Sequence, residues 1–393
     1  MKSRWIALLV LLPIIACSDD EPGTSTEKMS TEAVCSDGAP AYEVTVEPLV
    51  TEVGPMANDL AISGDGGLWI VESGTNSVSR FDLEEIVLEP HFIDVGTERN
   101  PYSAAVDEEA GQVWVANYLS DTVSIADLDS GAPIAELDDP LFSNPSSIAL
   151  SEDYAYVANV DYISPSEGYG PGSIAVVDRT TLDVISSVET DLPNPQFLTT
   201  AVIDDSPALF ASLTGELEFD DGVRVSSEGG LQWFDIATDP VTPPSQTFAL
   251  GQQDAQTVGA PGRPLLTPEG DRLYFASGIA PVAFAFDVDA RQWIYDAQSP
   301  LQLYETDGDA THRATIAADG LLWITAFNDD QLHLWDTACD EPVAPPIDLG
   351  AVGDMLEGAQ AIAVVEEDDG FTGYYLLSIS NAIGRIHLKI QRD

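Results

Sequence analysis

The sequence predicts an all-β chain: a seven-bladed β-propeller of four-stranded antiparallel blades, its ring closed by an N-terminal strand. Three observations carry this expectation. Apolar residues alternate with period two along short segments, and the i, i+3, i+4 spacing of an amphipathic helix is missing. A unit of roughly 45–50 residues recurs seven times, the length of one four-stranded blade. The last copy lacks a fourth strand, and one spare strand precedes the first copy.

The clearest unit is residues 113–128, VWVANYLSDTVSIADL. Val113, Val115 and Asn117 alternate with Trp114 and Ala116, and β-branched and aromatic residues suit a pleated surface. Asn117, Ser120 and Asp121 form the turn, because their side chains bond nearby backbone and tolerate left-handed conformations. In chain order the copies begin near Asn58, Asn100, Asn144, Asn194, Gly262, Thr311 and Ala359. Their second strands read GLWIVES, VWVAN, YAYVAN, ALFASL, RLYFASG, LLWITAF and YYLLSIS. Residues 42–53, YEVTVEPLVTEV, are expected to complete the seventh blade and so remove the free edges of an open array.

Before the repeats, Lys2 and Arg4 precede an apolar run at residues 5–15. That run is shorter than the roughly 20 residues needed to span a bilayer, so residues 1–16 read as a signal peptide. The segment ends Ile14-Ile15-Ala16-Cys17, which resembles the bacterial lipoprotein signal. The resemblance implies that Cys17 is acylated and begins the mature chain. Ser18 beside it implies an outer-membrane destination, on the periplasmic side or the cell surface. Residues 17–40, rich in Ser, Thr, Asp, Glu, Gly and Pro, read as a flexible tether, and residues 41–393 as the propeller domain.

The chain carries 67 acidic residues against 14 basic ones, a net charge of −53 spread through the repeats. Such a surface repels phosphate backbones, which argues against nucleic-acid binding. It tolerates high salt, where screening shortens self-repulsion, so a saline habitat is one reading and an ordinary acidic exported protein the other. A monomer is expected, with a membrane partner only through the lipid. Beyond Cys17 the cysteines are Cys35 and Cys339. The start of the closing strand and the end of the sixth copy's third strand should share a face in neighbouring blades. Cys35 and Cys339 could therefore form a disulfide across the closure; two separate thiols are the alternative.

The hairpins at residues 113–128 and 154–178, each preceded by Asn-Pro, resemble the YVTN-type propeller repeat family. The matching residues are Val115, Asn117, Val123 and Asp127, then Val157, Asn159, Ile174 and Asp178. The first copy, LWIVESGTNSVSRFD, also resembles propellers of the virginiamycin-lyase and gluconolactonase kind. These resemblances imply the propeller fold and a ligand face made by the loops around the central channel.

On that face the repeat alignment puts Asn58, Asp59, Glu72, Asn117, Asn159, Arg263, His312, Arg313 and Asn328. Arg263 and Arg313 stand out in a chain so poor in cations. They could clamp a carboxylate bidentately, or each could pair with a neighbouring acid. Insertions at residues 161–172, 214–229 and 251–262 are expected to wall this face. Glu216, Glu218, Asp220 and Asp221 are closely spaced oxygen ligands that could hold Ca²⁺ or another divalent cation; a solvated acidic loop is the alternative. No certain cofactor is implied. Haem, zinc-protease, Gly-x-Ser-x-Gly and P-loop motifs are missing, and His312 is the one acid–base candidate among His91, His312, His333 and His387. Together these features point to a surface-anchored module that binds a small molecule or a protein. The alternative is a metal-dependent, lactonase-like hydrolase or lyase in which Glu72, Asn117 and Asn159 imitate a metal site.

Overall fold

The computed structural model describes residues 41–391, without 65, 219–222, 252–258, 304–311, 318 and 351–355, and describes only the backbone of residues 41, 312 and 391. Every regular element in it is a strand, and the strands form seven antiparallel blades. Blade 1 runs Ala57–Ile62, Gly67–Glu72, Ser77–Asp82 and Val87–Asp94, from axis to rim. Blade 2 repeats the pattern from Pro101–Asp107 to Pro133–Asp138. Blades 3 and 4 begin with the inner strands Pro145–Leu150 and Pro195–Ile203, and each carries a short extra hairpin on its loop. In blades 5 and 6 the rim strand is broken into two short pieces that pair with the same neighbour.

Blade 7 is closed as expected. Ala359–Glu367, Gly370–Leu377 and Ala382–Gln391 are completed by Ala41–Glu52, with Ala41 opposite Gln391 and Glu52 opposite Ala382. The sequence splits this blade between both ends of the repeat region, so neither end can leave without opening the ring.

Between neighbouring blades lie seven apolar layers, each drawn from two blades. Each layer holds one aromatic residue from the same place, two or three residues before the end of a second strand. These are Trp69, Trp114, Tyr156, Phe210, Tyr274, Trp323 and Tyr374, all buried. A wide flat ring fills the wedge between two twisted sheets better than a branched aliphatic chain does. Around Trp323 the fit is tight enough that a Cβ on Gly373 would sit 2.9 Å from the indole.

Aspartates at the ends of third strands shape the turns that follow. Asp82 accepts from the backbone N–H groups of Glu84 and Glu85, and Asp178 accepts from those of Thr180 and Thr181. Asp127, Asp235, Asp287 and Asp336 act in the same way. Part of the chain's acidity is therefore turn chemistry.

His333 lies buried in the third strand of blade 6, opposite Ile324. Burial pushes its pKa down from 6.5 to about 4. The unfolded chain takes up this proton first, so stability present above pH 6.5 is lost as pH falls toward 4. In denaturant melts, His333→Leu should lack on the order of 3 kcal/mol of the destabilisation that wild type shows between pH 7 and pH 4. Equal acid sensitivity in both proteins would contradict this.

Candidate functional site at the channel mouth

The inner strands of blades 2, 3 and 4 enter through a shared device. Asn100, Asn144 and Asn194 stand at positive φ (53°, 50° and 62°), each followed by proline. A bulge follows at once, between Pro101 and Ser103, Pro145 and Ser147, and Pro195 and Phe197. Asn tolerates the left-handed region, and the bulge re-aims the next side chain. In blades 1 and 7 the same bulge falls between Ala57 and Asp59 and between Ala359 and Ala361.

Side chains at these positions touch across blades that are not neighbours, so they point into the axis. Asp59 of blade 1 pairs with Arg263 of blade 5 at 3.2 Å. Tyr102 of blade 2 donates to Gln196 Oε1 of blade 4 at 3.0 Å. The guanidinium of Arg313, on blade 6, lies 4.4 Å from the centroid of the Phe197 ring on blade 4, and that of Arg263 lies 5.9 Å from it. Both arginines thus converge on one aromatic ring. Asp59 neutralises Arg263, whereas Arg313 meets no carboxylate among the described residues.

The two insertions form hairpins beside this mouth. Tyr162–Ser164 pairs with Gly168–Tyr169 in blade 3, and Leu217–Glu218 pairs with Arg224–Val225 in blade 4. The first brings Tyr162 and Tyr169 together, centroids 5.1 Å apart. Tyr102 and Tyr118 lie 5.4 Å apart beside them. Burial, then the neighbouring phenols Tyr102, Tyr169 and Tyr162, holds the Tyr118 hydroxyl far above its ordinary pKa. Val225 of the second hairpin is buried in the layer between blades 4 and 5. Most of the third insertion lies outside the described residues.

Other expected site residues have different surroundings. Glu72, Asn117 and Asn159 occupy equivalent positions at the ends of second strands, and all three are buried. Glu72 accepts from the Gly54 N–H at 2.8 Å and from Thr75 and Ser77 hydroxyls, both at 3.1 Å. Asn117 donates to Thr122 and Ser124, and Asn159 to the Leu141 carbonyl and Ser173. Asn117 organises its own loop, whereas Glu72 and Asn159 also tie theirs to the chain entering the blade at Gly54 and Leu141. Asn58 donates to Ser73, and Asn328 is exposed on a blade 6 loop. His312 begins an inner strand, but its side chain lies outside the described residues.

Of the cation candidates, Glu218 pairs with Arg224 at 2.6 Å, the Glu216 backbone bonds to Ser226 and Ser227, and Asp220 and Asp221 lie outside the described residues. Glu367, Asp369 and His387 do gather ligand atoms within 4.8 Å of one another, although Lys389 already sits 2.9 Å from Asp369. This group was not legible from the chain, because the second strand of blade 7, Gly370–Leu377, separates its members. Tyr102, Gln196 and Phe197 were also missed. Their signal is position: they are the residues that follow Asn-Pro.

With this geometry in view, the comparisons with known proteins bear on the fold alone. Seven blades around this axis resemble the Kuenenia stuttgartiensis hydrazine synthase, with TM-score 0.63 and 16% identity over 86% of this chain and 97% of that one. A streptogramin B lyase is similar too, with TM-score 0.60 and 14% identity over 88% of this chain and 98% of that one. The chain is a distant structural neighbour of both. No family model and no curated protein sequence matches it.

Cys17 and Cys35 lie outside the described residues, whereas Cys339 is disulfide-bonded on the turn after the third strand of blade 6. Tyr42, at the start of the closing strand, packs into the layer between blades 6 and 7 and hydrogen-bonds Asp319. The chain therefore enters the ring beside blade 6. Peptide mapping without reductant should recover Cys35 and Cys339 in one cross-linked species that reductant separates; a Cys17–Cys339 species would contradict the expected pairing.

Proposed function

We propose that this chain is an exported, lipid-anchored propeller that binds a small ligand at the mouth of its central channel. The observation that carries the reading is Arg313: in a chain of net charge −53, it has no carboxylate partner among the described residues and rests on Phe197 at the axis. A guanidinium that meets no carboxylate among the described residues leaves its planar fork to an incoming anion. The tyrosine hairpin supplies an apolar wall with polar tips, the composition usual for ligand sites. Placement in the YVTN-type repeat group rests on Asn117 and Asn159, which act alike in their loops, and on the turn-forming Asp127 and Asp178. Lipid anchoring at the outer membrane rests on the sequence around Cys17. Binding is favoured over a metal-dependent hydrolase or lyase because the Glu72 carboxylate is already held by the Gly54 N–H and the Thr75 and Ser77 hydroxyls.

Ligand-observed NMR with a panel of anionic, neutral and cationic fragments tests this reading. Hits should weaken when Phe197 is replaced by Leu. The absence of any hit at millimolar concentration, or hits indifferent to that change, would contradict it.

A further inference from the structure

The mouth has a charge and a shape that narrow the class of ligand. Arg263 and Arg313 against Asp59 leave one positive charge at the axis, among the described residues. That one guanidinium, with no carboxylate partner among the described residues, matches one carboxylate; a phosphate dianion would carry a second charge into a strongly negative protein. The guanidinium of Arg313 lies 4.4 Å from the centroid of the Phe197 ring and that of Arg263 lies 5.9 Å from it. Beside Phe197, Gln196 receives the Tyr102 hydroxyl. Tyr102 stacks near Tyr118, and Tyr118 adjoins Tyr162 and Tyr169. A continuous path of aromatic surface thus leads from the cation to the blade 3 hairpin. Burial raises the pKa of the Tyr118 hydroxyl, which has no hydrogen-bond partner among the described residues. It remains a neutral donor at any physiological pH.

We propose that the channel mouth takes an aromatic carboxylate, with the carboxylate on Arg313 and the ring along Tyr102 and Tyr118. The assignment rests on the binding reading above and goes further by fixing the ligand class. Arg263, clamped by Asp59, holds the second guanidinium in place and keeps the site selective for a single negative charge. Aromatic rings favour offset or edge-on contact with one another, which the tilted Tyr102–Tyr118 pair offers to a third ring.

Calorimetric titration with 2-naphthoate, 2-naphthamide and 2-naphthyl phosphate tests it on the folded full-length protein. Naphthoate should bind best, the isosteric amide at least about tenfold more weakly, and Arg313→Gln should reduce naphthoate binding by a similar factor while leaving amide binding unchanged. Tyr118→Leu should weaken both, and thermal melts of each variant check that the ring is intact. Equal binding of amide and carboxylate, with loss of both in Phe197→Leu, would overturn the carboxylate assignment and leave the mouth as a binding site. Tighter binding of the phosphate would overturn it in favour of a dianion. Binding of none of the three would overturn both.

Discussion

The structure depends on seven apolar layers, each wedged by one aromatic ring between two blades. A blade alone buries one face at most, and its four short strands have too little apolar area to fold in isolation. Stacking against a neighbour on each side makes the array stable, and the rings of Trp69, Trp114, Tyr156, Phe210, Tyr274, Trp323 and Tyr374 set the spacing. Removing a buried ring of this size costs about 3–5 kcal/mol in a typical core, a large share of a domain's stability. The seventh layer exists only because Ala41–Glu52 returns to blade 7, bringing Tyr42 and Val44 against blade 6.

Positions where the blades agree build the scaffold, and positions where they differ build the site. The aromatic ring, the left-handed Asn and the turn aspartate recur and serve the fold. The residue after the bulge does not recur: it is Asp59, Ser103, Ser147, Phe197 or Ala361, and the entries of blades 5 and 6 bring Arg263 and Arg313. Radial symmetry brings these unlike residues within reach of one another. That is how Asp59 meets Arg263 although 204 residues separate them.

The blades and their closure were legible because they rest on local signals, period-two alternation and turn residues every few positions. The closing strand was legible by subtraction, one strand too few at one end and one too many at the other. Glu72, Asn117 and Asn159 were correctly aligned with each other, yet alignment could not show that their side chains turn into their own loops. The two arginines were legible as rare cations, but not the difference between them, since Asp59 comes from a distant blade. Phe197 and Tyr102 were hidden for a related reason: an aromatic in a strand reads as core until the bulge turns it to the axis. The inserted hairpins were visible as insertions but not as strands, because two-residue pairings leave no periodicity.

If closure and the seven layers act as one unit, the ring has no weak blade. Native-state hydrogen exchange at the second-strand amides measures this directly. The account predicts that the amides of Val71, Val115, Val157, Ala211, Phe275, Ile324 and Tyr375 all exchange only through global unfolding, with one common free energy and one common denaturant dependence. Separate, lower opening energies for blade 7, or a graded series along the chain as in an open repeat array, would contradict it.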